Sequence, residues 1–472
     1  MDNVSNAIHY IFLAAAACFV IGLHLMNHPR TARRGNTLSA GAMAVAIAAT
    51  VWLVAHQGAI TTTGWLVLAS GGLIGGALGL YMAREVKMTA MPQLVSLFNA
   101  VGGGAAALIA VNDLLQAGDP AALGARVSLP GALDIVIGAV TFTGSLVAAG
   151  KLQGLISGAP VVFPGARLLN VVLPVSFVAG TVWLVLAPDS RFALYGLLLV
   201  ALLFGVTMVL PIGGADMPVV IALLNAFTGS AVAMAGFVLD ETALIIAGML
   251  VSSSGGILTK LMADAMNRSI ANIVIGGFGT GDGGGADAGP GGAPAQVRPV
   301  SADDVAIQLA YASKVIFVPG YGLAAAQAQH ELGDLAKLLT DHGIDVSYAV
   351  HPVAGRMPGH MNVLLAEANV PYTQLKEMDD VNPQFAQADV ALVVGANDVT
   401  NPMARRSGNA ISGMPILDVD KAKSVVVIKR SMGHGYAGID NELYTDPKTG
   451  MFFSDAKKGL SELKSAVAEF VS

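Results

Sequence analysis

The sequence predicts a polytopic α-helical membrane bundle of about nine spans, followed by an α/β Rossmann-like soluble domain. Hydrophobic residues make up 54% of the 472 positions and charged residues only 12%, and the apolar residues concentrate before residue 263, as in an integral membrane protein. After residue 299, short apolar runs alternate with helical segments, which is typical of a parallel α/β sheet. We therefore expect a membrane domain at residues 1–264, a Gly-rich linker at 265–298 and a soluble domain at 299–472.

The membrane spans and their orientation follow from apolar length and from basic residues. Segments of about twenty apolar residues cross a bilayer, and we place them at residues 6–26, 36–55, 63–83, 91–112, 129–149, 168–187, 191–211, 217–238 and 242–262. If the first loop is cytoplasmic, its side of the membrane collects Arg30, Arg33, Arg34, Arg84, Lys87, Lys151, Arg167, Lys260 and Arg268. The other side holds Arg126 and Arg191, so the positive-inside rule predicts a periplasmic N-terminus and a cytoplasmic soluble domain.

Polar residues at membrane depth are costly unless they are paired or hydrated, so they mark candidate functional positions. Asn99 lies in the fourth span, Asp134 and Ser145 in the fifth, and Asn225 in the eighth. Asp216 lies at the predicted cytoplasmic end of the eighth span, about 13 Å before Asn225 along a helix. That distance suits an entry group and a deeper group on one pathway. For each residue taken singly, an interhelical hydrogen bond is the alternative.

Glycine-rich segments predict close packing in two spans and flexibility in the linker. Small residues let helix backbones approach each other in lipid, and they occur at Gly71, Gly72, Gly75, Gly76 and Gly79 of the third span and at Gly102, Gly103 and Gly104 of the fourth. The stretch Gly276–Pro294 has no apolar periodicity and predicts a flexible linker.

Charge and cysteine content exclude several classes of function. The net charge is -6 and no long basic run is present, which argues against a nucleic-acid partner. The single cysteine, Cys18, lies in an apolar segment, so we expect neither a disulfide framework nor a thiol metal site.

The stretch Lys314–His330 (KVIFVPGYGLAAAQAQH) predicts a strand, a tight turn and a helix. The apolar strand ends at Pro319, and the helical pattern runs from Leu323 onward. The turn from Gly320 to Ala325 is a G-x-G-x-x-A fingerprint, whose glycines let a pyrophosphate approach backbone N–H groups at the start of a helix. A dinucleotide site is the favoured interpretation, and a tight βα turn without a ligand is the alternative.

Three further strands are predicted, and the residues that follow them point to the kind of dinucleotide. The strands are Asp345–Val350, Val390–Gly395 and Val425–Lys429. Residues 351–360 (HPVAGRMPGH) offer no carboxylate for a ribose 2′-OH and include Arg356, which favours NADP. A basic cluster of Lys429, Arg430 and Ser431 follows the last strand, with a solvated surface pair as the alternative. The polar residues of 395–402 (GANDVTNP) should face the same crevice.

Long runs of sequence on both sides of the linker carry a family resemblance. In the soluble part they are VPGYGLAAAQAQH (318–330), HPVAGRMPGHMNVLLAEA (351–368), GANDVTNP (395–402) and KRSMGHGYAGIDNELYTDPKTGMFFSDAK (429–457). In the membrane part they are KMTAMPQLVSLFN (87–99) and ADMPVVIALLNAFTG (215–229). Over nearly its whole length the chain resembles the β subunit of the proton-translocating NAD(P) transhydrogenase.

The resemblance implies an enzyme that is also a proton pump. In that family the soluble domain binds NADP(H), and a separate domain of the α subunit binds NAD(H). Hydride passes directly between the two nicotinamides, and protons that re-enter across the membrane drive the reduction of NADP+ by NADH. The resemblance further implies a bacterial inner membrane location, an α partner of one chain or two, and a dimer of αβ units.

The resemblance also assigns expected roles to individual residues. The cofactor-binding set is Gly320, Tyr321, Gly322, Ala325, Arg356, Gly395, Asn397, Asp398, Lys429, Arg430, Ser431 and Tyr436, and the proton pathway set is Asn99, Ser145, Asp216 and Asn225. Within the first set, Lys429, Arg430 and Ser431 should hold the 2′-phosphate. Asp398 should lie near the nicotinamide and couple protonation to the state of the nucleotide. No side chain is expected to act as a general acid or base, because hydride transfer is the cofactor's own chemistry.

One residue departs from the family pattern, and two other functions stay open. Asn99 occupies the position of a membrane histidine thought to carry the proton in some members, so an equivalent histidine is expected from a small partner subunit. The first alternative is an NADP(H)-sensing membrane transporter without hydride transfer. The second, a dehydrogenase that reduces quinone, needs a flavin or metal relay, and no cysteine cluster or haem-type histidine pair in the sequence supports it.

Overall fold

A computed structural model of the chain describes residues 3–26, 29–58, 60–116, 125–157, 161, 165–213, 216–266, 270, 297–355, 359–407, 409, 411–435 and 437–471. The predicted linker stretch Gly276–Pro294 lies outside the described residues, and so do Arg356 and Tyr436. The chain falls into two compact units, one made mostly of residues before 258 and one that contains the sheet.

Each of the nine predicted spans is a helix in the described part of the chain. The helices are α1 (Asn3–Met26), α2 (Pro29–Gln57), α3 (Thr62–Glu85), α4 (Met91–Gln116), α5 (Ala125–Leu152), α6 (Ala166–Leu186), α7 (Arg191–Val209), α8 (Met217–Val238) and α9 (Thr242–Ala265). Eight of them are long and apolar enough to cross a membrane, and α6 contains a shorter apolar stretch, Val172–Leu186. The prediction of a polytopic helical membrane bundle is therefore confirmed.

The packing predicted from glycines is correct for α4 and wrong for α3 within this chain. A Cβ added to Gly103 would lie 2.8 Å from the Cβ of Thr141 in α5, so the α4 and α5 backbones do approach closely there. In α3, a Cβ added to Gly71, Gly72, Gly75, Gly76 or Gly79 would meet no atom within 4 Å. No residue of α3 is buried. Its glycine face is therefore not packed against the described residues of this chain.

The second unit contains a seven-stranded parallel sheet in the described residues. Its strands are β1 (Arg298–Pro299), β2 (Lys314–Pro319), β3 (Asp345–Val350), β4 (Leu375–Glu377), β5 (Val390–Val394), β6 (Ser424–Lys429) and β7 (Thr449–Phe453). They lie in the order β1-β7-β6-β5-β2-β3-β4. The four predicted strands, now β2, β3, β5 and β6, are confirmed. The other three pair at or toward the sheet edges, and β1 and β4 are too short for a period-two pattern.

Helices cover the sheet and complete its core. They are α10 (Ala302–Ala310), α11 (Tyr321–Ala326), α12 (Gln329–Asp341), α13 (His360–Glu367), α14 (Met378–Val381) and α15 (Ala456–Val471). One buried core includes Phe317 and Tyr348, whose rings pack edge to face with centroids 5.4 Å apart. A second core includes Phe385. Burial on both faces explains why the strands read as continuous apolar runs.

The helix predicted from Leu323 onward is instead two helices. It begins earlier, at Tyr321, and is interrupted at Gln327, which has a left-handed φ of 51°. The interruption redirects the chain so that Ala328 is fully buried before α12 begins. A non-glycine residue in this conformation has no strong sequence signal, because tertiary burial selects it.

The amino ends of three strands are tied together by Asp389, which directly precedes β5. Its carboxylate accepts hydrogen bonds from Lys423 Nζ (2.7 Å) and from the backbone N–H groups of Ser313 (2.8 Å) and Lys314 (3.0 Å). The Lys423 ammonium and these N–H groups lower the pKa of Asp389 to about 2. The hydrogen bonds of Asp389 therefore stabilise the amino edge of the sheet. The polar loops of the candidate site lie at the opposite, carboxyl edge.

Candidate functional site

The centre of the sheet contains a topological switch point between β2 and β5. From β2 the chain continues to β3 and β4 on one side, and from β5 it continues to β6 and β7 on the other. Pro319 is paired with Val394, and Val394 with Ile428, so β2, β5 and β6 end at the same level. In open α/β sheets the crevice outside such carboxyl ends is where ligands bind.

Three glycines from two loops interlock at this switch point. Gly320 N–H donates to Val394 O and Gly322 N–H donates to Gly395 O, each at 2.9 Å. A Cβ on Gly322 would lie 2.6 Å from Gly395 Cα, and a Cβ on Gly395 would lie 2.4 Å from Gly322 Cα. Gly395 also has a left-handed φ of 69°. The two loops therefore come together backbone to backbone, and only residues without a Cβ fit this contact.

The short helix α11 places the rest of the fingerprint. Tyr321 is half-buried, and its ring centroid lies 6.3 Å from that of His360, at the start of α13. Leu323 and Ala324 point into the core, whereas Ala325 is exposed. The last position of the fingerprint thus faces the surface rather than the sheet.

The loop after β5 is held by residues that the sequence analysis did not single out. Asn441 Nδ2 donates to Asn397 O (3.0 Å) and to Asn397 Oδ1 (3.1 Å), and the hydroxyl of the buried Tyr444 donates to Asn397 Oδ1 at 2.9 Å. Asn401, which is fully buried, donates to Asp440 O at 2.9 Å. These bonds fix the loop 396–401 against the segment 440–444, and both belong to the motifs quoted above.

Lys429 lies at the same edge, at the end of β6. It is half-buried, its Nζ lies 4.5 Å from the centroid of the Tyr444 ring, and it donates to Gly433 O. Burial lowers the pKa of Lys429, and the carboxylates of Asp398 and Asp440 oppose that shift. Arg430 and Ser431, which follow it, are exposed. A lysine ammonium has three donors, so the bond to Gly433 leaves capacity for an anion.

Asp398 lies between the loop after β5 and the segment after β6. Its Oδ2 accepts a hydrogen bond from Ala437 N–H at 3.1 Å. A Cβ on Gly435 would lie only 2.3 Å from Asp398 Oδ1, so this segment passes directly over the carboxylate. The structure thus brings Asp398 and Lys429 into one charged cluster beside the glycine contact.

His351, directly after β3, is a buried histidine held in its neutral form. Its Nδ1 accepts from Val353 N–H (3.2 Å), which leaves Nε2 to donate to Pro415 O (2.8 Å). It is 1% exposed, and burial lowers its pKa to about 4. His351 therefore joins the loop after β3 to the segment before residue 416.

This histidine should make the crevice sensitive to acid. Above the unfolded-state pKa of about 6.5, the His351 imidazole is neutral in both the folded and the unfolded chain. Below that pH the imidazole of the unfolded chain is protonated, whereas the imidazole of the folded chain stays neutral down to about pH 4. The free energy of unfolding therefore falls as the pH falls, by about 2 kcal/mol between pH 8 and pH 5. Hydrogen exchange on the purified chain, corrected for intrinsic rates, should show protection around 351–355 and 415–418 falling with pH. In His351→Gln, which keeps a donor but does not titrate, this fall should disappear; an unchanged fall would contradict the assignment.

The membrane bundle contains the other group of expected residues. Asn99 is 4% exposed, and its Nδ2 donates to Ile221 O of α8 at 3.4 Å. Thr228 of α8 donates to Asn99 O at 3.3 Å. One turn earlier in α4, Ser96 donates to Ser145 O of α5 at 2.8 Å. Polar groups of α4, α5 and α8 therefore meet at one level of the bundle, here called the polar layer.

The remaining two expected residues belong to the start and first turns of α8. Asn225 is half-buried and lies one turn after Ile221, near the polar layer. Asp216 directly precedes α8, and its N–H donates to Gly213 O at 3.1 Å. Asp216 thus directly precedes the helix that carries Asn225.

Comparisons with known proteins identify the family of the whole chain. A family model described as "NAD(P) transhydrogenase beta subunit" matches residues 8–466. Two sequences from Rhodospirillum rubrum, one of them from a named strain, are called NAD(P) transhydrogenase subunit beta. Each is 48% identical to this chain over 462 residues, which cover 97% of this chain and 98% of the relative. The chain therefore belongs to the NAD(P) transhydrogenase beta subunit family.

Proposed function

We propose that this chain binds NADP(H) at the carboxyl edge of its sheet and exchanges hydride with NAD(H) bound to an alpha subunit. The observation that carries the proposal is the interlocked contact of Gly320, Gly322 and Gly395 at the switch point. It forms a cradle that any side chain would fill, as the close approach of a pyrophosphate requires. Family membership implies an oxidoreductase with an alpha-subunit partner.

The proposed preference for NADP rests on charge at this edge. The described residues that follow β3, from His351 to Gly355, contain no carboxylate that would bind a ribose 2′-OH and repel a 2′-phosphate. At the end of β6, Lys429 and Arg430 supply positive charge and Ser431 a hydroxyl. We assign the 2′-phosphate to these three residues. Arg356, Tyr436, Tyr321 and Ala325 complete the proposed binding surface.

In this proposal the protein positions the nicotinamide ring and shields it from competing reactions, and the nucleotide supplies the redox chemistry. Bound NADP(H) offers a nicotinamide that accepts or donates a hydride. Asn397 and Asp398 are held rigidly by Asn441, Tyr444 and Ala437, so they give the nicotinamide end a fixed wall. No side chain acts as a general acid or base in the hydride-transfer step, and the NAD(H)-binding domain of the alpha subunit must dock at this edge so that the two rings touch.

Coupling to protons is assigned to the membrane bundle. We propose that Asn99, Ser145 and Asn225 line the inner part of a proton pathway and that Asp216 is its cytoplasmic end group. Protonation there biases a two-state element that changes the affinity for NADP+ relative to NADPH, as coupling requires. The proposed setting is a bacterial inner membrane, with a periplasmic N-terminus, a cytoplasmic sheet domain and a dimer of αβ units.

The proposal is tested with the chain and its alpha partner reconstituted together in proteoliposomes. Added nucleotides reach only sheet domains that face outward, so an acidic lumen drives protons in the cytoplasmic direction. We expect an acidic lumen to accelerate NADP+ reduction by NADH and a protonophore to abolish the acceleration. Tight NADPH binding without any NADP+ reduction would instead identify an NADP(H)-sensing transporter. A rate of NADP+ reduction that does not depend on the proton gradient would contradict the proposed coupling.

A further inference from the structure

Asp134, in the first half of α5, is a buried carboxyl group that the proposed pathway does not use. It is 0% exposed, and neither of its oxygens has a hydrogen-bond partner among the described residues. Three other polar side chains of the same bundle are hydrogen-bonded: Asn99 and Ser96 donate to backbone carbonyls of neighbouring helices, and Thr143 does the same. Ser145 Oγ, like the Asp134 oxygens, has no partner among the described residues, but a hydroxyl costs much less to bury than a carboxylate. Asp134 is therefore not explained by helix packing.

No charged neighbour in the described part of the chain offsets this carboxyl group. The helices packed against α5 are α4, α6, α7 and α8, and α8 carries no titratable residue. The titratable residues of the others and of the α8–α9 turn are Asp113, Arg167, Arg191, Tyr195, Asp240 and Glu241, and α5 itself has Arg126 and Lys151. No hydrogen bond joins Asp134 to any of them whose side chain is described. An ionised carboxylate in such a place costs far more than its protonation, so the group holds a proton.

The position of Asp134 along α5 relates it to the polar layer. Asp134, Gly138, Thr141 and Ser145 follow each other at helical spacing on one face, and each is buried. Gly138 marks a tight contact with α4, because its added Cβ would lie 2.5 Å from Gly103 O. Asp134 lies about 6 Å from Gly138 toward the Ala125 end, and Ser145 lies about 10 Å from it toward the Leu152 end. The glycine contact thus separates Asp134 from the polar layer.

We propose that Asp134 is a second proton-binding site of the membrane bundle, on the far side of the Gly103–Gly138 contact from the polar layer. The inference rests on the proposed function. In turnover the Asp134 carboxylic acid releases its proton toward the polar layer and the carboxylate takes up another from the Ala125 side, which is periplasmic in the proposed orientation. The close α4–α5 contact keeps the two sites from being open to each other in this conformation. A pump needs such a barrier to prevent a leak.

The first test is infrared difference spectroscopy of the reconstituted complex in H2O and D2O, with NADPH binding as the trigger. A protonated carboxyl group in an apolar site has a carbonyl band that shifts in D2O. We expect this band in the wild type and in Asp113→Asn, a control for the partly exposed carboxylate of α4. The band should be absent in Asp134→Asn. A band of unchanged intensity in Asp134→Asn would overturn the proposal.

The second test is proton uptake during hydride transfer in the same vesicles. Asp134→Asn resembles the neutral acid in shape and should lower coupled NADP+ reduction by about a hundredfold, as for other lost proton-transfer groups. Asp134→Glu should restore part of the rate and move the infrared band, and Asp113→Asn should behave as the wild type. Normal pumping by Asp134→Asn in vesicles whose wild type pumps would refute the inference alone; absence of hydride transfer in the wild type would refute the proposed function. If Asp134→Asn does not assemble, an unmoved band in Asp134→Glu would still refute the inference.

Discussion

Substituting alanine for Gly395 is expected to abolish tight NADP(H) binding. The new Cβ would lie 2.4 Å from Gly322 Cα, and the residue would have to keep a left-handed φ of 69°. Left-handed strain and overpacking together cost about 3 kcal/mol, which is roughly a hundredfold in affinity if the cost is released by separating the two loops. Calorimetric titration of the purified full chain with NADPH measures the loss.

Gly343→Ala is the matched control for that substitution. Gly343 also has a left-handed φ, 83°, but an added Cβ would meet nothing within 4 Å, and it lies before β3 at the amino edge of the sheet. It carries the backbone strain without the clash, so NADPH affinity should stay within about twofold of the wild type. Equal losses in both variants would show that general destabilisation, rather than the contact of the two loops, controls binding.

Removing the Lys429 ammonium is expected to weaken NADPH binding far more than binding of an analogue without the 2′-phosphate. Hydrogen bonds to charged groups contribute about 2 to 3 kcal/mol, so Lys429→Ala should weaken NADPH binding roughly thirty- to hundredfold. NADH, titrated as a weak competitor, lacks the phosphate and should lose less than about threefold. The ratio of the two losses is the quantity to measure.

The opposite end of the same strand provides the control for Lys429. Lys423 directly precedes β6 and pairs with Asp389 at 2.7 Å on the amino edge of the sheet. Lys423→Ala removes an equal charge from the same domain and should change neither affinity. If Lys429→Ala weakened both nucleotides equally, its assignment to the 2′-phosphate would be wrong.

The sequence was sufficient for the parts of the fold that depend on apolar periodicity. Each predicted span is a helix, and the central strands β2, β3, β5 and β6 lie where buried apolar runs predicted them. The strand and the tight turn predicted around the glycine fingerprint are also present. The fingerprint did not reveal why Gly320 and Gly322 are needed, because their contact is Gly395, more than seventy residues away in the chain.

Features that depend on tertiary contacts were not predictable in this way. The break at Gln327 follows from the burial of Ala328. The clamp formed by Asn401, Asn441 and Tyr444 consists of long-range hydrogen bonds, and polar residues in a loop read as solvated until their partners are known. In the membrane part, sequence alone did not distinguish Asn99, which is hydrogen-bonded across helices, from Asp134, which has no hydrogen-bond partner in the described residues.

In the proposed reaction, hydride passes directly from NADH on the alpha subunit to NADP+ on this chain. The most direct measurement uses NADH deuterated at C4 of the nicotinamide, NADP+ and the reconstituted complex, with the products analysed by mass spectrometry. Direct transfer predicts that deuterium appears in NADPH with no loss to water. Deuterium released to solvent would indicate an intermediate carrier, and tight NADP(H) binding without labelled NADPH would show that this chain senses the nucleotide instead of reducing it.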